Sequence, residues 1–409
     1  MGSHKYLKAG GRMSPDQNGP GTQYVFLLGA GASKKAGVPL VDEMTQAFET
    51  QIGKMASMYP IRLDESSVDL DTLVLGALAA LKKLVISAGR KFDVEVLLEA
   101  LTKLTDTNEI MHILRPKPDE YSEVYTPLKV MLIHFIRETC EKVGDVDYLY
   151  PLKGFVSEKG LDIFTLNYDG TVEAVCEKFD IPYSDGFSPN WNPSQLETEK
   201  AEIRLYKIHG SLFWFKTGKS KYIKLPIKGI EPERLRYFTD EGISETIIYP
   251  LLSKEVYTGP FPWLMQKFRN NLAETELCVV IGYSFRDDSI RKVIFEQMEN
   301  NPRLWLYLIN PRADETKRSI LDLHGDFFDR IVTLELKAED ALKERVLVEN
   351  LNSLKAARQQ EAEAKRGLLQ SSMLYSDSWQ GCIFNYKQIK HLDRIRSAIE
   401  EIMKYVKIN

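Results

Sequence analysis

Asn167, Asp169 and His209 are the side chains best suited to chemistry in this sequence. Asn167 and Asp169 stand in Asn167-Tyr-Asp-Gly-Thr171, directly after the apolar run Leu161-Asp-Ile-Phe-Thr-Leu166. His209 follows Arg204-Leu-Tyr-Lys-Ile208 and precedes Gly210-Ser211. A carboxamide and a carboxylate two residues apart can hold hydroxyls or an attacking water and support a developing cation. An imidazole exchanges protons near neutral pH. Each has a plainer alternative. Asn and Asp cap helices, which explains one of the pair well but not both. A lone His is usually structural; this one lies between a strand and a glycine, which places it at a loop rather than in a core.

A second set of residues is suited to binding. Tyr24-Val-Phe-Leu-Leu28 runs straight into Gly29-Ala30-Gly31-Ala32-Ser33. Glycine carries no Cβ, so backbone there can lie against a bulky anion, and a following helix would aim its positive end at a pyrophosphate. The alternative is an ordinary strand–turn–helix corner. The usual dinucleotide fingerprint is incomplete, because Lys34 stands where its third glycine belongs. Ala36-Gly-Val-Pro39 then predicts a short helix and a loop. Leu277-Cys-Val-Val-Ile281 likewise ends in Gly282-Tyr283-Ser284, and Leu304-Trp-Leu-Tyr-Leu-Ile309 ends in Asn310.

The elements that position these groups read as buried strands with polar carboxyl ends. That pattern predicts an α/β, Rossmann-like, mainly parallel sheet with one cleft along its carboxyl edge, shaped for a dinucleotide. Residues 42–155 read as a helical insertion after the first strand, from runs such as Asp71–Leu81, Val94–Leu101 and Leu128–Cys140. Asp93 and Glu95 could face a site, but a solvated helix face is the commoner reading for such charges. Leu212–Phe215 and Tyr222–Leu225 predict a β-hairpin, and Thr246–Tyr249 and Ile331–Leu336 further strands. Residues 183–203 and 250–263 read as loops placed to cover the cleft. The expected organisation is a disordered tail at 1–23, one catalytic domain at 24–336, and a helical C-terminal extension at 337–409. In that extension Ile389, Leu392, Ile395, Ile399 and Ile402 mark an amphipathic helix suited to assembly.

Composition narrows the function classes. The 44% hydrophobic and 27% charged content is that of a globular protein, and a net charge of −4 argues against direct nucleic-acid binding. No apolar run is long enough for a membrane span, and no signal peptide is apparent, so a cytoplasmic protein is expected. The four cysteines are far apart and lack any Cys-x-x-Cys pairing, which predicts reduced thiols and no structural zinc.

Taken as an ordered set, these motifs resemble the sirtuin superfamily. In that family Gly-Ala-Gly-x-Ser opens the NAD site, Thr-x-Asn-x-Asp lies beside the nicotinamide ribose, and His-Gly carries the catalytic His. The matching runs are Gly29 to Ser33, Thr165 to Asp169, His209-Gly210, Gly282-Tyr283-Ser284 and Asn310, spread over residues 24–312. The resemblance implies catalytic roles for Asn167, His209 and Asp169. It implies NAD+ binding by Gly29, Ala30, Gly31, Ala32, Ser33, Thr165, Gly282, Ser284 and Asn310.

The departures shape the expected activity. The four-cysteine zinc module of protein-deacylating sirtuins is missing, Gly37-Val-Pro-Leu-Val-Asp42 lacks the Phe-Arg of their first loop, and Phe285-Arg-Asp-Asp288 replaces their peptide clamp. The chain is more similar to the bacterial sirtuin-like proteins of antiphage systems, which hydrolyse NAD+, and among them to the stand-alone kind encoded beside a HerA-type hexameric ATPase. That implies an NAD+ glycohydrolase using NAD+ as substrate and no metal, working as a homo-oligomer gated by assembly or by the ATPase. An NAD-dependent deacylase or ADP-ribosyl transferase, and a non-catalytic NAD or ADP-ribose sensor, remain as alternatives.

Overall fold

The computed structural model describes residues 24–58, 70–106, 121–188, 190–197, 200–217, 221–225, 244–247, 259–322, 325–343, 346–354, 356 and 363. The chain divides into two compact units, Met1–Lys343 and Glu344–Asn409. The described part of the second unit is a helix over 346–354 and the single helical residues 356 and 363. The stripe expected over residues 389–402 lies outside the described residues.

The first unit begins with strand β1 (Tyr24–Leu28) and a single turn of helix, α1 (Ala30–Ser33), followed by a 3-10 turn at Lys34–Ala36. Four helices follow: α2 (Val41–Met58), α3 (Leu70–Ser87), α4 (Val94–Asp106) and α5 (Ser122–Glu141). A 3-10 segment, Asp147–Phe155, leads into β2 (Leu161–Thr165) and α6 (Thr171–Lys178). Next come β3 (Tyr183–Ser184), β4 (Ile203–Lys207), β5 (Gly210–Lys216), β6 (Tyr222–Lys224) and β7 (Ser244–Ile247). The remainder is α7 (Pro260–Glu274), β8 (Leu277–Ile281), α8 (Asp288–Asn300), β9 (Trp305–Ile309), α9 (Ala313–Leu321), β10 (Ile331–Leu334) and α10 (Ala338–Ala341).

Seven strands form one sheet in the order β10-β9-β8-β1-β2-β4-β3, and every pairing in it is parallel. β5, β6 and β7 form a separate antiparallel sheet. The parallel strands read as near-continuous apolar runs because both faces are covered. Val25, Leu27, Phe164, Tyr206, Cys278 and Val280 join one core with Leu264, Phe268, Ile294 and Phe295 of α7 and α8. The intervening Phe26 points the other way, onto Phe155.

The insertion has a core of its own. Phe48, Ile52, Leu78, Leu97, Leu101, Leu132 and Phe135 are buried together, joined by Leu212 of β5. In α4, Val94, Leu97, Leu98 and Leu101 recur at helical spacing and are all buried. α5 starts earlier than expected, taking in Pro127 ahead of the predicted start at Leu128.

Register sets the level of the strand ends. Thr165 and Ile281 both sit beside Leu28, Lys207 beside Thr165, and Ile309 beside Ile281. The residues after these positions therefore share one edge. β1 lies at the topological switch point, since the chain leaves it toward β2 on one side and returns as β8 on the other. Open parallel sheets place ligands at such a point. Of the two loops expected over the cleft, 250–258 lies outside the described residues. Residues 260–263 are instead the first turn of α7, and Phe261 belongs to the core. Proline at the start of a helix is favourable, which a loop reading of Pro-rich sequence overlooked.

Candidate functional site at the carboxyl ends of the strands

The loop after β2 is tied to the loop after β1. Asn167 Nδ2 donates to Gly29 O at 3.0 Å and to Ser33 Oγ at 2.9 Å. Gly29 O can only accept, so the NH2 side of the amide faces it and Oδ1 is left as an acceptor. Asn167 N donates to Thr165 Oγ1 at 3.0 Å, and Thr165 is itself buried. Ser33 Oγ in turn donates to Asp169 Oδ1 at 3.1 Å, and Asp169 Oδ1 also accepts from Thr171 N at 2.9 Å. A directed chain thus runs from Asn167 through Ser33 to Asp169. Asp169, not Asn167, supplies the turn into α6.

Asp169 is buried and rests on a buried cation. Lys207 Nζ donates to Asp169 O and to Glu173 Oε1, the latter at 2.9 Å. The Lys207 side chain is fully buried. Burial works against the Glu173 carboxylate, but Lys207 and then Lys224 outweigh it and hold its pKa below the ordinary value.

The glycines also allow two loops to pack closely. A Cβ on Gly29 would meet Gly282 O and Tyr283 Cα at 2.7 Å, and one on Gly31 would meet Gly282 Cα at 2.8 Å. Gly29 N donates to Ile281 O and Gly31 N to Gly282 O, both at 2.9 Å. These glycines let the first loop lie against the loop after β8, and their N–H groups are spent there rather than kept for an anion. α1 is one turn long, so its dipole is small. Ala30 and Gly31 stay part-exposed at the edge, while Ala32 is buried and its carbonyl accepts from Tyr148 OH.

His209 lies in the turn between β4 and β5, as its place between a strand and a glycine predicts, and it is buried there. Its Nε2 lies 2.9 Å from Asp287 Oδ2. The other oxygen, Asp287 Oδ1, accepts from Ser289 N at 2.7 Å and Ile290 N at 3.1 Å and so caps α8. Burial raises the Asp287 pKa, but the His209 contact and the two N–H donors outweigh it, leaving the carboxyl below its ordinary value.

Glu95 is not on a solvated face. Its Oε1 accepts from Tyr168 OH at 3.4 Å, and the Tyr168 ring lies 6.4 Å from that of His209. Burial, followed by repulsion from Asp93, pushes the Glu95 carboxyl up to about 7, while His209 and Tyr168 pull it down. The residue is part-exposed, and the charged and polar groups around it are Asp93, His209, Tyr168 and Asp287. Asp93 is buried and its Oδ1 accepts from Val96 N at 2.9 Å, starting α4. A polar helix face turned into a cleft carries the same sequence pattern as one turned to water.

Ser284 and Asn310 stand apart from this cluster. Ser284 is exposed at the end of β8. Asn310 Oδ1 accepts from Arg312 N at 2.8 Å, and Nδ2 reaches Tyr283 O at 3.5 Å and Thr316 Oγ1 at 3.4 Å. Sequence reasoning assigned no role to Asp287 or Lys207, and for Glu95 it preferred a solvated face to a site. Asp287 had one legible signal, an Asp just before a helix.

Among the described residues no group of three or more His, Cys, Asp or Glu side chains can hold a metal, and no helix is long and apolar enough to cross a membrane. Cys140, Cys176 and Cys278 are buried and unpaired in disulfide terms. Burial pushes each thiol up to about 12.

A family model described as a SIR2-like domain matches residues 162–325. No curated protein matches the chain. Among solved structures, a Sir2 homolog–NAD complex is similar at 11% identity, covering 80% of this chain and 88% of that one, with a TM-score of 0.39. A Sir2Tm structure bound to a propionylated peptide is similar at 10% identity over 80% and 93%, with a TM-score of 0.32.

Proposed function

We propose that this chain is an NAD+ glycohydrolase that cleaves NAD+ to nicotinamide and ADP-ribose. The observation that carries the reading is the convergence of Asn167, the Ser33–Asp169 pair and His209 on the level ends of β1, β2 and β4, beside the switch point. The sirtuin-like order of the motifs supports NAD+ as the ligand.

The bond to break joins the nicotinamide nitrogen to C1′ of the ribose. Its electron pair moves into the pyridinium, so nicotinamide leaves neutral and needs no acid. Water oxygen bonds to C1′ and gives up one proton. The transition state is an oxocarbenium-like ribose, so orientation counts for most. Asn167 Oδ1 accepts from the ribose hydroxyls or the attacking water. His209 takes the water proton. Asp169 holds Ser33, and through it Asn167, in place. Gly29 to Ser33 would border the pyrophosphate, with Ser284 and Asn310 toward the adenosine half.

Asn167→Ala and His209→Ala each remove NAD+ cleavage in this reading while the chain still folds cooperatively, at a lower melting temperature because each loses buried polar contacts. A variant that cleaves at the parent rate would contradict the assignment. NAD+ use only when an acylated peptide is present would assign a deacylase instead, and NAD+ binding without turnover a sensor.

At the level of the cell, the proposed role is depletion of NAD+ during phage infection, in the cytoplasm, by a homo-oligomer gated by a HerA-type ATPase. Its support is the motif resemblance. NAD+ hydrolysis measured for the chain alone and with such an ATPase, with and without nucleotide, tests the gating. Equal rates despite complex formation would remove it.

A further inference from the structure

His209 is held from a third loop, and that contact determines which of its nitrogens does chemistry. The loop Gly282–Asp287 leaves β8 through two residues in the left-handed region, Gly282 at φ 69° and Phe285 at φ 58°. Phe285 is buried, and a bulky residue there is held against its preference by the surrounding structure. Tyr283 OH donates to Asp287 O at 3.2 Å and Arg291 Nη1 to Phe285 O at 3.3 Å, which fixes the loop from both sides. Asp287 therefore ends with one carboxylate oxygen on the first N–H groups of α8 and the other on His209. Both oxygens are occupied, so the carboxylate has one orientation.

We propose that Asp287 is the positioning residue for His209, keeping the proton of the neutral ring on Nε2 and leaving Nδ1 as the basic nitrogen. A carboxylate only accepts, so at 2.9 Å the proton between them belongs to Nε2. No described residue hydrogen-bonds to Nδ1. Once Nδ1 has taken the water proton, the ring is an imidazolium, and Asp287 is already placed to stabilise it. The described groups facing His209 from other elements are Asp287, Glu95 from the insertion and Tyr168 from the loop after β2. Among the described residues only Asp287 bonds to the ring. The tyrosine and Glu95 bond to each other. This deepens the hydrolase reading and rests on it for the role of Nδ1, while the tautomer itself does not depend on which reaction is catalysed.

Asp287→Asn tests the proposal. Asn keeps an oxygen to cap α8 but presents an NH2 group or a reoriented amide to the ring, which removes the reason for a proton on Nε2. Full-length protein labelled with 15N-histidine, recorded at pH 8 and assigned with His209→Ala, reports the tautomer. The expected result is an Nε2–H tautomer for His209 in the parent, lost in Asp287→Asn. With it, kcat for NAD+ cleavage should fall by about 100-fold or more while KM changes little. An Nδ1–H tautomer in the parent would overturn the proposal, as would Asp287→Asn with unchanged spectrum and kcat. If the parent does not cleave NAD+, the hydrolase reading fails and the spectrum alone decides the Asp287–His209 relationship. The parent spectrum decides it also if Asp287→Asn does not fold.

Discussion

Asn167 Nδ2 donates to Ser33 Oγ at 2.9 Å across 134 residues of sequence. This one bond joins the first loop of the sheet to the second. It lets a serine that is 2% exposed pass the influence of Asp169 on to a carboxamide at the cleft. Ser33→Ala cuts the chain in the middle while leaving Asn167 its bond to Gly29 and Asp169 its bond to Thr171. The expected stability loss is about 1 kcal/mol. NAD+ turnover should fall mostly in kcat, by roughly 10-fold or more, if the relay orients the Asn167 amide. Parent kinetics in Ser33→Ala would show that Gly29 alone positions the amide.

Two glycines with similar backbones separate strain from crowding. Gly89 has φ 73° and nothing within 4 Å of its missing Cβ, whereas Gly282 has φ 69° and a Cβ there would meet Ala32 N at 2.4 Å. Gly89→Ala should cost only the conformational penalty, about 1 kcal/mol. Gly282→Ala adds a clash with main chain that cannot swing aside. It should lower the melting temperature by clearly more than Gly89→Ala, at roughly 2–4 °C per kcal/mol. Equal melting temperatures for the two would mean that the loops of β1 and β8 separate at little cost.

The pair of Lys207 and Glu173 makes a prediction about both stability and pH. Removing one partner of a buried ion pair costs about 3–5 kcal/mol, so Lys207→Met should be severely destabilised. Glu173→Gln in the same chain should recover much of the loss. The folded-state pKa of Glu173 is lowered, so the stability it contributes is present above its ordinary value of 4.5 and is lost as pH falls through the folded value. The gap between parent and Lys207→Met, measured by urea denaturation, should therefore narrow in acid. A constant gap from pH 8 downward would contradict the charge pairing.

Glu95 behaves in the opposite sense. Its folded-state pKa of about 7 lies above the ordinary 4.5, so folding takes up protons and the stability associated with it falls as pH rises from 4.5 through 7. Glu95→Gln should match the parent near pH 4 and be more stable above pH 7. The upper limit of the difference is on the order of 3 kcal/mol. A parent as stable as Glu95→Gln at pH 8 would show Glu95 paired with a cation there.

Much of the sheet was legible in sequence because strands buried on both faces are apolar without interruption, as in Leu277–Ile281 and Leu161–Thr165. The polar residues at their ends were legible because a parallel sheet brings such ends to one edge. What was not legible depends on direction and distance. Asp287 reads as a helix cap, and nothing local shows that its second oxygen meets His209. Glu95 looks like any charge on an amphipathic helix until the insertion is folded against Tyr168. Lys207 looks like a surface lysine on a strand, although its side chain is fully buried. The glycines of the first loop were read for a ligand's sake; their close packing on Gly282 and Tyr283 was not legible, because it depends on a strand far away in the sequence.

The most direct measurement is the fate of NAD+ with the purified full-length protein, with no acylated peptide, over a range of protein concentrations. Nicotinamide and ADP-ribose are separated and quantified over time, in parallel with Asn167→Ala and His209→Ala. The account predicts equimolar nicotinamide and ADP-ribose from the parent and neither from the two variants. Intact NAD+ at every protein concentration, or equal turnover by parent and variants, would contradict it.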